Sequence, residues 1–195
     1  MDYPNNIKKT YKKEISHSNR GMDLENLINL TNEYYLNNNI AVIYKKPTPI
    51  GIAKVKYFNN KKMIDKAYFK EQSTLDYNGL YKGKYLDFDA KMTTSKTSFP
   101  LSNIHEHQLL HIRNILKHGG ISFIILKINL EYYLLTGEDL INYIDNSNRK
   151  SIEYKYITNV GHIIKEGYIP ALDYLKVIDK IYFKGESSNG TSEKN

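Results

Sequence analysis

Thr74-Leu75-Asp76-Tyr77-Asn78-Gly79 and, a short turn later, Asp87-Phe88-Asp89-Ala90-Lys91 decide how this chain is read. A strand puts alternate side chains on one face, so Asp87, Asp89 and Lys91 share one side while Phe88 and Ala90 share the other. The apolar side can pack. The polar side, joined by Asp76 from the segment before it, has the make-up that holds a divalent cation and stabilises charge developing on a phosphate. Asp76, Asp89 and Lys91 thus stand at the spacing of a metal-dependent nuclease site; an exposed hairpin edge fits the same spacing.

Working outward, the segment reads as a hairpin over residues 74–91 with Gly79 and Gly83 near its turn. Neither a Walker pattern nor a strand-to-helix transition surrounds those glycines, so they are not a phosphate cradle. Upstream, Pro47 and Pro49 interrupt the chain before two strand-like runs, 52–57 and 63–69, joined by the turn Asn59-Asn60-Lys61-Lys62. This lysine-rich hairpin, a stalk over about residues 46–66, can project from the body, and a merely solvated hairpin has the same pattern. Before it, Leu24, Leu27, Ile28, Thr31, Tyr34 and Tyr35 recur at helical spacing, and residues 40–44 read as a short strand. After the hairpin, a helix is expected from Pro100-Leu101 to about Lys117, stopped by Gly119-Gly120. Residues 121–130 read as a buried central strand, 132–135 as its neighbour and 139–144 as a short helix. Residues 146–170 are poorly patterned, and 171–178 suggest a terminal helix. Residues 1–18 form a polar arm with Lys8, Lys9, Lys12 and Lys13, and residues 184–195 a disordered tail, leaving 19–183 as one α/β domain.

Twenty-eight Lys and Arg against 21 Asp and Glu leave a formal net charge of +7 over 195 residues. That balance favours an anionic partner, with nucleic acid ahead of a membrane surface because no basic amphipathic helix is evident. A lysine-rich coding bias produces the same balance, and for that reason the 18 tyrosines carry no function as a class. The absence of cysteine excludes disulfides and thiolate metal sites and fits a reducing cytosol. No apolar run approaches the roughly 20 residues that span a bilayer, and no signal-peptide core opens the sequence. The expectation is a soluble, cytoplasmic protein.

Further motifs surround the site: Asn19-Arg20-Gly21-Met22, Leu24-Glu25, Lys45-Lys46-Pro47-Thr48-Pro49-Ile50, Ala67-Tyr68-Phe69, Tyr81-Lys82-Gly83-Lys84-Tyr85, Lys96-Thr97-Ser98-Phe99-Pro100-Leu101, Asn103-Ile104-His105, His107-Gln108 and His111. In this order they resemble the RecU family of Holliday junction resolvases, over roughly residues 19–135. The resemblance implies a restriction-endonuclease-like α/β fold, a mixed sheet flanked by helices, and a homodimer whose projecting hairpin enters the centre of a four-way DNA junction. It implies Mg2+, or Mn2+, held by Thr74, Asp76, Asp89 and Gln108, with Lys91 stabilising the transition state. Cleavage to 5′-phosphate and 3′-hydroxyl ends in recombination and repair, alongside recombinase and branch-migration proteins, is implied as well. Three positions depart from the family pattern. Asp89 stands where glutamate is usual, Leu75 where threonine is typical, and the hairpin tip has no arginine.

Other side chains nearby admit more than one role. Glu25, in the first turn of a helix, favours the helix dipole or approaches the metal. His107 and His111, four apart, invite a zinc reading with His105, against which Glu106 lies outside a His-Glu-x-x-His pattern. Two rival functions stay open: a junction-binding protein whose cleavage is weak or lost, motivated by Asp89, and a restriction-type nuclease acting on linear duplex.

Overall fold

In the computed structural model, which describes residues 23–70 and 74–183, the apolar segments pair into one mixed sheet wrapped by helices. In chain order the elements are α1 (Leu24–Asn37), β1 (Val42–Lys45), β2 (Ile50–Phe58), β3 (Lys61–Phe69), β4 (Tyr77–Tyr81), β5 (Lys84–Met92), β6 (Ser98–Pro100), a 3-10 turn (Leu101–Asn103), α2 (Glu106–Lys117), β7 (Ile121–Ile128), β8 (Glu131–Thr136), α3 (Gly137–Asn146), β9 (Ser151–Glu153), α4 (Tyr154–Val160), β10 (His162–Ile164) and α5 (Tyr174–Tyr182). The basic arm, the Asn19–Met22 motif, Ser73 and the tail from residue 184 lie outside the described residues.

The sheet has six strands in the order β1-β4-β5-β7-β8-β10. Only β5 and β7 run parallel, as the crossover through α2 requires; the other neighbours are antiparallel. Lys82 and Gly83 both take positive φ, 46° and 72°, the primed turn that matches strand twist and sets the β4–β5 register. β5 is therefore a central strand, which excludes an exposed hairpin edge.

Two apolar layers enclose the sheet. Leu86 and Phe88 of β5 join Leu27 and Ile28 of α1 and Tyr174 and Ile178 of α5 on one face. Phe88 stacks between Tyr77 and Phe123, with ring centroids 4.9 and 4.5 Å away. Ile124 and Leu126 of β7 join Ile112 of α2, Leu140 of α3 and Ile157 of α4 on the other. The acidic side of β5 thus faces the α2 layer.

The hairpin β2–β3 forms its own two-stranded sheet. Asn59 and Asn60, at φ 49° and 60°, make a two-residue primed turn, so Lys61 and Lys62 begin β3 rather than belonging to the turn. Among its strand residues only Gly51 is buried, and Ile52, Tyr57, Phe58, Ile64 and Phe69 are all more than half exposed or close to it. It adds nothing to either core layer. Its neck is closed by two backbone bonds, Lys70 N–H to the Pro49 carbonyl at 2.9 Å and Lys46 N–H to the Asp76 carbonyl at 2.7 Å.

Three expectations need correction. The helix after Pro100 starts only at Glu106, because Ser98–Pro100 pairs with Ser151–Glu153 and the Leu101 N–H bonds the Lys150 carbonyl. The poorly patterned stretch holds β9, α4 and β10. The terminal helix begins at Tyr174, where the Asp173 carboxylate caps the Lys176 N–H at 3.4 Å.

Candidate active site

Alternation along β5 brings Asp87 and Asp89 under α2 with no exposed surface. A buried carboxylate is tolerated only with partners, and Asp89 has three. Gln108 Nε2 donates to it at 2.7 Å, the Ala90 N–H at 2.8 Å, and the Lys91 ammonium stands 3.0 Å away. Asp76, half-buried just before β4, lies close against the same carboxyl. Burial first, then the Asp89 carboxyl beside it, hold the Asp76 carboxyl above the usual carboxylate range, while Lys91 and Lys45 pull the other way. Two carboxyls pressed together beside the core repel unless a proton or cation lies between them. The pair is therefore a fit for a hard divalent ion, whose preferred donors are oxygen.

The remaining sequence-predicted residues divide. Gln108, buried in the first turn of α2, accepts the His105 N–H through Oε1 at 3.1 Å while its nitrogen meets Asp89. In this orientation it holds Asp89 in place, and presenting its oxygen to the pair takes a half-turn of the amide. Thr74 makes a local contact, its hydroxyl donating to the Leu75 carbonyl at 3.4 Å. Glu25 pairs with Lys45. His105 and His107 stack at 5.3 Å, while His111 turns to Asp87. Among the described residues no three His, Cys, Asp or Glu side chains gather as a metal-binding group, so the zinc reading has no ligand set.

Sequence reasoning placed Asp87 on the right face and gave it no task. Its Oδ2 accepts from the Lys46 ammonium and the Tyr85 hydroxyl, both at 2.7 Å, with His111 Nε2 at 3.3 Å. Burial, followed by the bond to Asp87, pushes the Tyr85 phenol up to about 12, so it donates as a neutral hydroxyl. The available hint was a lysine just before the Pro47–Pro49 interruption and a carboxylate two residues from the site.

A family model described as Recombination protein U matches residues 19–180. The chain belongs to the RecU family. Relatives named Holliday junction resolvase RecU, from Bacillus cereus (strain AH820), Bacillus anthracis and Bacillus thuringiensis (strain Al Hakam), are each 49% identical over 181 residues, covering 90% of this chain and 90% of theirs. The RecU match takes in the whole sheet, both apolar layers and the hairpin. Among the described residues no helix is long and apolar enough to cross a membrane.

Proposed function

We propose that this chain is an endonuclease that resolves four-way DNA junctions by phosphodiester hydrolysis with Mg2+, Mn2+ serving as alternative. The observation that carries it is the half-buried Asp76 set against the buried Asp89, with Lys91 at its side, in a chain whose relatives are named for junction resolution. Asp76 and Asp89 hold the ion, and Thr74 and Gln108 add a hydroxyl and an amide. When bound, the ion supplies Lewis-acid charge and lowers the pKa of a coordinated water. Lys91, anchored on Asp89 and 20% exposed, presents its ammonium to charge building on the phosphate. In the metal-free chain the Gln108 amide holds Asp89 in place, and a half-turn of that amide would offer its oxygen to the ion.

The junction's near two-fold symmetry suits a homodimer with one site for each of two opposed strands. The hairpin carries Lys54, Lys56, Lys61, Lys62 and Lys66 against a single acid, Asp65, the charge of a segment that enters a phosphate-lined centre. Work in the cytoplasm beside recombinase and branch-migration proteins completes the reading.

The chain is expected to bind a labelled four-way junction in chelator and to cut it only with Mg2+ or Mn2+, since lysines contact phosphate whereas hydrolysis needs the ion. Cleavage undiminished by EDTA sinks the metal mechanism. Preference for linear duplex in a competition assay supports the restriction-type rival.

Asp89 separates an active resolvase from a binding protein that has lost cleavage. Its carboxylate is enclosed by the Gln108 amide, the Lys91 ammonium and the Ala90 N–H, so an extra methylene in Asp89→Glu crowds the site. A cleavage time course should show a loss of about tenfold, equivalent to about 1.4 kcal/mol of barrier. Activity present in Asp89→Glu and absent in the native chain overturns the enzyme assignment.

A further inference from the structure

We propose that Lys46 is a positioning residue that ties the neck of the hairpin to the metal pair, by its backbone to Asp76 and by its ammonium to the buried Asp87 of β5. The proposal rests on the site assigned above and deepens it. Lys46 directly follows the last residue of β1, and its N–H donates to the Asp76 carbonyl at 2.7 Å, extending the β1–β4 ladder to the residue that bears the carboxyl. Its side chain turns inward, 18% exposed, and pairs at 2.7 Å with a carboxylate that has no exposed surface. Asp87 is two residues from Asp89 on the same strand face, about 7 Å along β5. One residue therefore grips both the start of β4, beside Asp76, and β5, which carries Asp89.

The connection from Lys46 to the hairpin is short and stiff. Only Pro47, Thr48 and Pro49 separate it from β2; each proline fixes its own φ and restricts the residue before it. Four consecutive residues, 46–49, thus have little freedom to absorb a shift. On the return side the Lys70 N–H bonds the Pro49 carbonyl at 2.9 Å. A hairpin pushed by DNA moves Lys46, and Lys46 moves Asp76 against β5. The ammonium does not serve as a phosphate contact in this arrangement, because Asp87 already takes it, together with the Tyr85 hydroxyl and His111 on the same oxygen.

The test compares Lys46→Met, Lys46→Arg and the double variant Lys46→Met/Asp87→Asn, which removes both charges and so avoids stranding a buried carboxylate. Three quantities are read for each: Mn2+ affinity of the DNA-free protein by electron paramagnetic resonance, junction affinity in chelator, and the single-turnover cleavage rate at saturating protein. Partners that orient metal ligands typically change affinity or rate by about 10-fold or more. Lys46→Met and the double variant should lose about that much in Mn2+ affinity and in saturated rate, with junction affinity held within about threefold, and Lys46→Arg should recover most of both. Wild-type Mn2+ affinity and rate in the double variant overturn the proposal, leaving the pair as charge balance only. A loss confined to junction affinity overturns it too, making Lys46 a phosphate contact. Mn2+ binding by the native chain, and its loss in Asp76→Asn, test the metal pair separately, so the two readings fail on different measurements.

Discussion

Asp76→Asn should abolish junction cleavage, by about 10³-fold or more, which is about 4 kcal/mol of barrier, while junction affinity in chelator stays within about threefold. The substitution keeps shape and removes one of two carboxyls that a divalent ion needs. It falls on a half-buried side chain outside both apolar layers, so the fold is not at stake. Stability supplies an independent sign. The Asp76 carboxyl is held above its usual range, chiefly by burial and then by Asp89, so its ionised form opposes folding. What it contributes to stability is present below its unfolded pKa and is lost as pH rises through the raised folded value. In metal-free buffer, Asp76→Asn should therefore melt no lower than the native chain at neutral pH, with any gain shrinking as the pH is taken below the carboxylate range. Junction affinity collapsing together with activity, or a lower metal-free melting temperature at pH 7, identifies Asp76 as structural instead.

Replacing residues 50–69 by a short Gly-Ser bridge should leave a folded protein that has lost most of its preference for four-way junctions over linear duplex, a change of about tenfold or more, or about 1.4 kcal/mol. The Pro49 carbonyl and Lys70 N–H already meet at 2.9 Å, so the cut ends lie together. The removed strands bury almost no side chain and supply no member of either layer, so hydrophobic stabilisation is little touched. Circular dichroism checks the fold, and competition between labelled junction and duplex checks the preference. Junction selectivity unchanged after the replacement rules out a recognition role for the hairpin.

The parts of this structure legible in the sequence are those set by local periodicity. Phe88 against Asp87 and Asp89 showed which side of β5 packs, and the spacing of Leu24, Leu27, Ile28 and Tyr35 showed α1. Asp76, Asp89, Lys91 and Gln108 were named from motif and resemblance, and the fold brings those four side chains together. What escaped depends on distant partners. Phe99 belongs to a strand only because Ile152 pairs with it, and the local pattern by itself reads as a helix starting from Pro100-Leu101. β9 and β10, three residues each, are too short to show alternation. Asp87 acquires its place from Lys46, 41 positions earlier, and from His111 on α2, and no pattern within β5 carries that information.

The hairpin also has the properties of an adjustable ruler. Since strand side chains alternate with a period of two, adding or deleting one residue in each arm lengthens or shortens it by a rung of about 3.4 Å and turns the tip over, whereas two residues per arm change its reach by about 7 Å and keep the tip facing the same way. The neck bonds at Pro49–Lys70 and Lys46–Asp76 lie below every such change. Descendants of this chain can therefore tune how far the Asn59-Asn60 tip extends, in graduations set by the backbone itself, without retouching the carboxylates at its foot.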